Sequence, residues 1–514
     1  MNRRLTTETD MTNLFARIAA AIAEPSRPFL MTPAGRTITY GDLDGLTARY
    51  ANALVSAGVA VGDRVAVQVE KSPEALILYL ATVRAGAVFL PLNTAYTLAE
   101  LEYFIGDAEP SVIVGRPETG TALEQLCRAI GSKAKVLTLG QNADGTLAEA
   151  ANAAAATFVT VAREGGDLAA ILYTSGTTGR SKGAMLTHDN LASNAVTLVD
   201  CWRFTKDDVL LHALPIYHTH GLFVATNAIL FSGASMVFLA KFDAGEIMSL
   251  MPRATCLMGV PTFYVRLIQD PGLTREATAH MRLFVSGSAP LLAETHRAFA
   301  EKTGKPILER YGMTETNMNT SNPYDGDRIA GTVGFPLPGV SLRVVDPETG
   351  AVVPQGAIGM IEVKGPNVFC GYWRNPEKTK AEFRPDGFFI TGDLGKIDDR
   401  GYVHIVGRGK DLVISGGFNV YPKEIETEID AIPGVFESAV IGLPHADFGE
   451  GVTAVVVVEK GATLDEAGVL GAISGKLAKF KQPKRVLFVE DLPRNAMGKV
   501  QKNVLRETYK GLYQ

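Results

Sequence analysis

The sequence predicts an α/β protein of two domains: a large N-terminal domain built on layered, mostly parallel sheets, and a small C-terminal α+β domain. Three observations carry this. At 514 residues the chain exceeds what one hydrophobic core organises. Strand-like and helix-like stretches alternate along its first half, the pattern of βαβ units. Near its end, Gly407, Gly409, Gly416 and Gly417 punctuate a polar run and mark a boundary. The domains are therefore set at 1–407 and 411–514, with 408–410 between them.

Leu14, Phe15 and Ile18 suggest a first amphipathic helix, and 37–40 alternates as a strand. Leu43, Leu46, Tyr50 and Leu54 share one helical face, which Gly58 can end. Val65, Val67 and Val69 alternate as a strand. Ser72, Pro73 and Glu74 then supply a cap, a first-turn proline and a first-turn acid. Gly86 closes that helix, and 87–90 opens another strand. The alanine-rich piece 147–158 is expected to be a surface connection. Beyond the boundary, 422–429 reads as a helix, and 438–442 and 452–458 as strands.

Composition narrows the function. Hydrophobic residues make up 46% and charged residues 20%, as in ordinary globular proteins. Fifty basic against 55 acidic side chains leave a net charge of −5, so nucleic acid is not an expected partner. Cys127, Cys201, Cys256 and Cys370 are scattered without a CxxC pair, which fits a reducing compartment. No apolar run reaches about 18 residues, so no membrane partner is expected. The first residues mix Arg3 and Arg4 with Glu8 and Asp10 and lack a signal core. A cytoplasmic enzyme is the expectation.

The chemistry centres on 173–183, YTSGTTGRSKG. An apolar run feeds it, and another follows. Between them, Thr174, Ser175, Gly176, Thr177, Thr178 and Gly179 offer hydroxyls and unhindered N–H groups, with Arg180 and Lys182 adding charge. Such a loop suits a polyphosphate. A solvated linker would rarely sit between two apolar segments with cations at its end. Lys182 is followed by Gly183, so the GxxxxGK[ST] phosphate loop is excluded.

This loop resembles the signature of the adenylate-forming superfamily, which includes acyl-CoA synthetases, luciferases and peptide-synthetase adenylation domains. The likeness covers the chain after its first thirty or so residues, with further motifs in family order. These are PIYHTHG from Pro215, GVPTFYVRL from Gly259, SGSAP from Ser286, ERYGMTET from Glu309, TGDLG from Thr391, GRGKDLVISGG from Gly407 and RNAMGK from Arg494.

The resemblance implies a mobile C-terminal domain turning on Lys410 at the 408–410 hinge. It implies ATP and Mg²⁺ as requirements and coenzyme A as acceptor. Thr174, Glu315, His218 and Lys499 are the implied catalytic residues, Glu315 holding the metal. Gly287, Ser288, Ala289, Glu309, Arg310, Tyr311, Gly312 and Thr314 would surround the nucleotide, with Asp393 and Arg408 on the ribose. Ser415, Gly416 and Gly417 would flank the pantetheine path. His218 and His220, at i and i+2, lack a third metal ligand nearby. The family's PxxH histidine instead borders the acyl pocket. A Lys at the Lys499 position carries essential charge, so an acetyltransferase and deacetylase acting on it are possible partners.

The acid is read from polarity. Asn317, Asn319, Thr320 and Ser321 follow the Glu315 motif, Arg266 adds a cation in the acid-site segment, and Arg282 flanks the SGSA strand. A buried second carboxylate needs such a cation with hydrogen-bond partners. Arg266, assisted by His218 and His220, is the first choice, Arg282 the substitute, and Met313 a further wall residue. Arg266 on an outward helix face is the competing expectation. Together the motifs are similar to the malonate-activating branch of the superfamily, some of whose members accept methylmalonate. Ligation of another short acid, loading of a carrier protein, and a catalytically idle nucleotide-binding role stay open.

Overall fold

The computed structural model describes residues 12–174, 181–415, 418–495 and 498–513. Two large sheets dominate the N-terminal part. One has nine strands, of which six neighbours run parallel: Leu308–Met313, Leu283–Ser286, Cys256–Gly259, Val209–His212, Ser235–Phe238 and Pro28–Met31. The other has six strands, parallel except where Leu168–Thr174 pairs antiparallel with Lys182–Thr187. A four-stranded antiparallel sheet follows, ending at Arg408. The next sheet begins at Val413 and holds five strands. It has buried clusters of its own, around Ile425, Val440 and Val456 on one side and Ile441, Val455 and Leu505 on the other.

Local sequence explains the elements. Ser72 caps helix Pro73–Arg84, its hydroxyl accepting the Ala75 N–H at 3.2 Å. Thr39 closes a capping box on Tyr40–Ser56, so the strand expected over 37–40 stops at Thr39. Val65 and Val67 pack into the main core while Ala66 packs into the cluster behind the six-stranded sheet. Their alternation thus separates two cores, as a parallel sheet covered on both faces requires. The alanine-rich stretch differs from expectation. Thr146–Ala153 is a helix that buries Leu147, Ala148 and Ala151.

The parallel strands all point one way, and this places the site. Residues just beyond the C-terminal ends of Val209–His212, Cys256–Gly259, Leu283–Ser286 and Leu308–Met313 gather along one edge of the nine-stranded sheet.

Candidate active site

A cavity of about 1510 Å³ opens along that edge. Its walls include Thr174, Lys182, His218, His220, Ser288, Arg310, Gly312, Met313, Thr314, Glu315, Arg408, Lys410 and Lys499. Thr174 and Lys182 end two paired strands and stand opposite each other in register. Ser175, Gly176, Thr177, Thr178 and Gly179 lie outside the described residues, as do Gly416 and Gly417.

The residues expected on the nucleotide side are tied to one another. The Tyr311 hydroxyl donates to Asp393 at 2.5 Å, and Arg408 Nε pairs with the other Asp393 oxygen at 2.7 Å. Asp393 foremost holds the Arg408 guanidinium above its ordinary range. Glu315 is buried, which raises its carboxyl above the usual range. One Glu315 oxygen accepts from the Tyr372 hydroxyl at 3.1 Å, and Tyr372 also bonds Glu382 at 2.6 Å. Glu382 in turn receives Lys182 at 3.5 Å and Lys378 at 2.7 Å. Tyr372 and Glu382 are site residues the sequence reading passed over; both line the cavity.

Lys499 arrives from the C-terminal part on a tight turn. Its N–H donates to Asn495 Oδ1 at 3.0 Å, and the Asn495 N–H returns to the Lys499 carbonyl at 2.9 Å. Gly498 takes φ +73, and a Cβ there would stand 3.2 Å from Thr262, so the turn leans on the start of helix Pro261–Gln269. Burial, then the neighbouring Arg408 charge, push the Lys499 amine down to about 8.

Around Arg310, His218 and His220 polar groups are left without partners. Arg310 is 3% exposed, and its Nε and Nη2 find no hydrogen bond. Burial lowers its guanidinium to about 9. Gly287 leaves room for that head: a Cβ would come within 2.4 Å of the Arg310 guanidinium carbon. His220 Nδ1 lies 3.2 Å from the Ser288 hydroxyl, while Nε2 of both His218 and His220 is unpaired. Burial holds His218 down to about 4 and His220 well below its ordinary value. At neutral pH both are uncharged.

Several expected residues stand elsewhere. Arg266 is exposed on helix Pro261–Gln269, whose buried residues are Phe263, Tyr264 and Leu267. Arg282 is clamped on Asp208, Nε at 2.5 Å and Nη2 at 2.7 Å, and it also donates to the Trp202 carbonyl at 2.9 Å. Neither reaches the cavity wall.

The expected polar wall is absent too, because strand Asn317–Ser321 is buried and its side chains bond inward. Asn317 donates to the Asn367 carbonyl at 3.2 Å and Asn319 to Thr316 Oγ1 at 2.8 Å. Thr320 donates to the Val333 carbonyl at 2.7 Å, and Ser321 accepts from Trp202 at 2.9 Å. Met318 lines the cavity instead. Gly287, Ala289, Glu309, Tyr311 and Asp393 are not among the lining residues, though Asp393 bonds Arg408, which is, and Ser415 is buried opposite Gly449. Among the described residues no three His, Cys, Asp or Glu side chains cluster as metal ligands.

Sequence and structure comparisons place the chain in a family. Residues 19–373 match the AMP-binding enzyme model and 424–499 its C-terminal domain model. The chain belongs to the AMP-binding enzyme family. It is 68% identical to MatB from Rhodopseudomonas palustris, covering 98% of this chain and all of that one. The TM-score is 0.96 against the ATP-bound crystal structure. Against the apo crystal structure of MatB it is 0.85. A malonate–CoA ligase of Arabidopsis thaliana is 35% identical over 88% of this chain and 79% of its own length. A feruloyl-CoA synthase of an Amycolatopsis species is 36% identical over 92% and 94%.

Proposed function

We propose that this chain joins malonate to coenzyme A, consuming ATP and releasing AMP and pyrophosphate through a malonyl-adenylate. One observation carries the choice of acid. A buried guanidinium at the cavity wall keeps two nitrogens unpaired, beside neutral histidines and a hydroxyl. Burying such a charge alone is costly, and a second carboxylate relieves it with paired hydrogen bonds. A monocarboxylic acid has no group to offer there. The likeness to MatB and to malonate–CoA ligases supports the same acid. Arg310 thus takes the role expected of Arg266 or Arg282, with His218, His220 and Ser288 completing the pocket and Met313 walling it.

In the first half-reaction a malonate carboxylate oxygen attacks the α-phosphorus of ATP. The bond to the bridging oxygen breaks, and pyrophosphate leaves. Positioning and charge neutralisation dominate such a transfer. Lys499 supplies positive charge at the reacting phosphate, Thr174 and Lys182 contact the outer phosphates, and Asp393 with Arg408 receives the ribose. Glu315 is a buried carboxylate with no ion pair among the described residues, so it fits a divalent cation. Mg²⁺ held there supplies neutralisation of phosphate oxygens. In the second half-reaction the CoA thiol loses its proton, sulfur attacks the acyl carbon, and AMP leaves with the bridging oxygen. The C-terminal domain turns about 408–410 between the steps, withdrawing Lys499 and bringing in Ser415. Acetylation of Lys499 would remove its charge and stop the first step alone. The setting is the cytoplasm.

The test is pyrophosphate release with MgATP over malonate, methylmalonate, succinate, acetate, butyrate and octanoate, with and without CoA. Malonate should give the highest rate, and a thioester only with CoA. Preference for butyrate or octanoate would overturn the assignment of Arg310.

A further inference from the structure

A buried amine stands in the core with no part in the steps above. Lys71 follows strand Arg64–Gln68 and is 9% exposed. Its Nζ donates to the His212 carbonyl at 2.7 Å and meets His212 Nδ1 at 3.0 Å, with the Phe238 ring 4.3 Å away. His212 ends the central strand Val209–His212, and its Nε2 lies 2.9 Å from the Gly221 carbonyl. With Nε2–H donating to that carbonyl, Nδ1 is the acceptor for Lys71. The three groups form one directed chain.

Gly221 lies in an unusual turn. Residues His220–Ala225 form a π-helix, a widened turn seldom stable without outside support. The Gly221 carbonyl accepts the Thr226 N–H of that turn, the Thr226 hydroxyl at 2.9 Å and His212 Nε2. A Cβ at Gly221 would stand 2.1 Å from the Pro215 carbonyl, so the turn is pressed against the start of the PIYH segment. His220, its first residue, reaches Ser288. His218, two residues earlier, accepts the Leu222 N–H at 3.0 Å on its carbonyl. Both pocket histidines therefore hang on a turn whose carbonyl is held from below.

The geometry points to Lys71 as a positioning residue for the acid pocket: through His212 it pins the π-turn at Gly221 and sets where His218 and His220 meet the acid. This rests on the acid pocket proposed above. It accounts for an amine kept from water, which a protein otherwise avoids. It also confines the effect to one substrate, because no member of the chain touches the Tyr311–Asp393–Arg408 group or Glu315.

The experiment compares Lys71→Met, His212→Leu, His212→Gln and Thr226→Val with the wild-type enzyme, measuring KM for malonate and for ATP, kcat and Tm. Lys71→Met keeps side-chain length and removes both hydrogen bonds. We expect kcat/KM for malonate to fall about tenfold, while KM for ATP moves less than about twofold. His212→Gln, whose amide can still donate to Gly221, should recover part of what His212→Leu loses. A lowered Tm with malonate and ATP constants moving together, or with neither moving, would overturn the proposal. Should Lys71→Met fail to fold, Thr226→Val removes a donor from the same carbonyl and must show the same malonate-only loss. A wild-type enzyme inactive on malonate would instead overturn the acid assignment. The comparison would then be made with the acid the enzyme prefers.

Discussion

The two sides of the cavity are prepared differently. On the nucleotide side charges already meet: Asp393 with Arg408 at 2.7 Å, and Lys182 with Glu382 at 3.5 Å. On the acid side Arg310, His218 and His220 keep nitrogens unpaired. The nucleotide is large and charged along its length, and on the proposed reading its residues hold their geometry on one another until it arrives. The acid is small. It offers few contacts, and each must relieve a group that is costly while empty. On the proposed assignment selectivity follows from that cost, because a ligand lacking the second carboxylate leaves the guanidinium unpaired.

Lys499→Ala should have the largest effect. Malonate-dependent pyrophosphate release is expected to fall about 10²-fold or more, because charge at the reacting phosphate is lost. Thioester formation from supplied malonyl-adenylate should change far less. Since the Lys499 amine is held down to about 8, release by the wild-type enzyme should decline as pH rises through that value and the ammonium is lost. Lys499→Arg should move this limb to higher pH. His218, held at about 4, contributes no limb near neutrality. Equal losses in both half-reactions would erase the contrast between the sides.

Arg310→Met comes next. It should lower kcat/KM for malonate by about 10²-fold, leave KM for ATP nearly unchanged and favour butyrate. Arg266→Ala should change neither constant. Arg282→Ala should destabilise the fold by on the order of 3 kcal/mol, leaving Asp208 buried and unpaired, without a specific effect on malonate. If Arg266→Ala matched Arg310→Met, the acid side would lie elsewhere.

The residues expected on the nucleotide side could be named from sequence because they come in contiguous strings. The caps at Ser72 and Thr39 work over three or four residues and are equally local. Arg310 was visible inside ERYG, yet the string assigned it to the nucleotide. Only the fold reveals that its head lies under Gly287, 23 positions earlier in the chain. Arg266 had a usable signal: with Phe263, Tyr264 and Leu267 facing the core, helical spacing turns 266 outward. The Asn-rich strand had none. Its partners at Trp202, Val333 and Asn367 are distant in sequence, and an asparagine bonded inward to the backbone reads like a pocket asparagine until they are placed.

The smallest effect tests whether the nucleotide side is at rest with its charges engaged. Lys182 sits 4.5 Å over the Tyr372 ring and 3.5 Å from Glu382. Phosphates that recruit Lys182 must draw it from that carboxylate, and Lys378 is left behind to neutralise Glu382. Glu382→Gln keeps an acceptor for the Tyr372 hydroxyl, so Glu315 should stay oriented, but the competing charge is gone. Both partners are about a fifth exposed, so water screens the pair and the change is modest. We expect KM for ATP to fall about threefold, with KM for malonate unmoved. A rise in KM for ATP would mean that Glu382 engages the bound nucleotide directly. The Lys182–Glu382 pair would then not be the resting state that the nucleotide displaces.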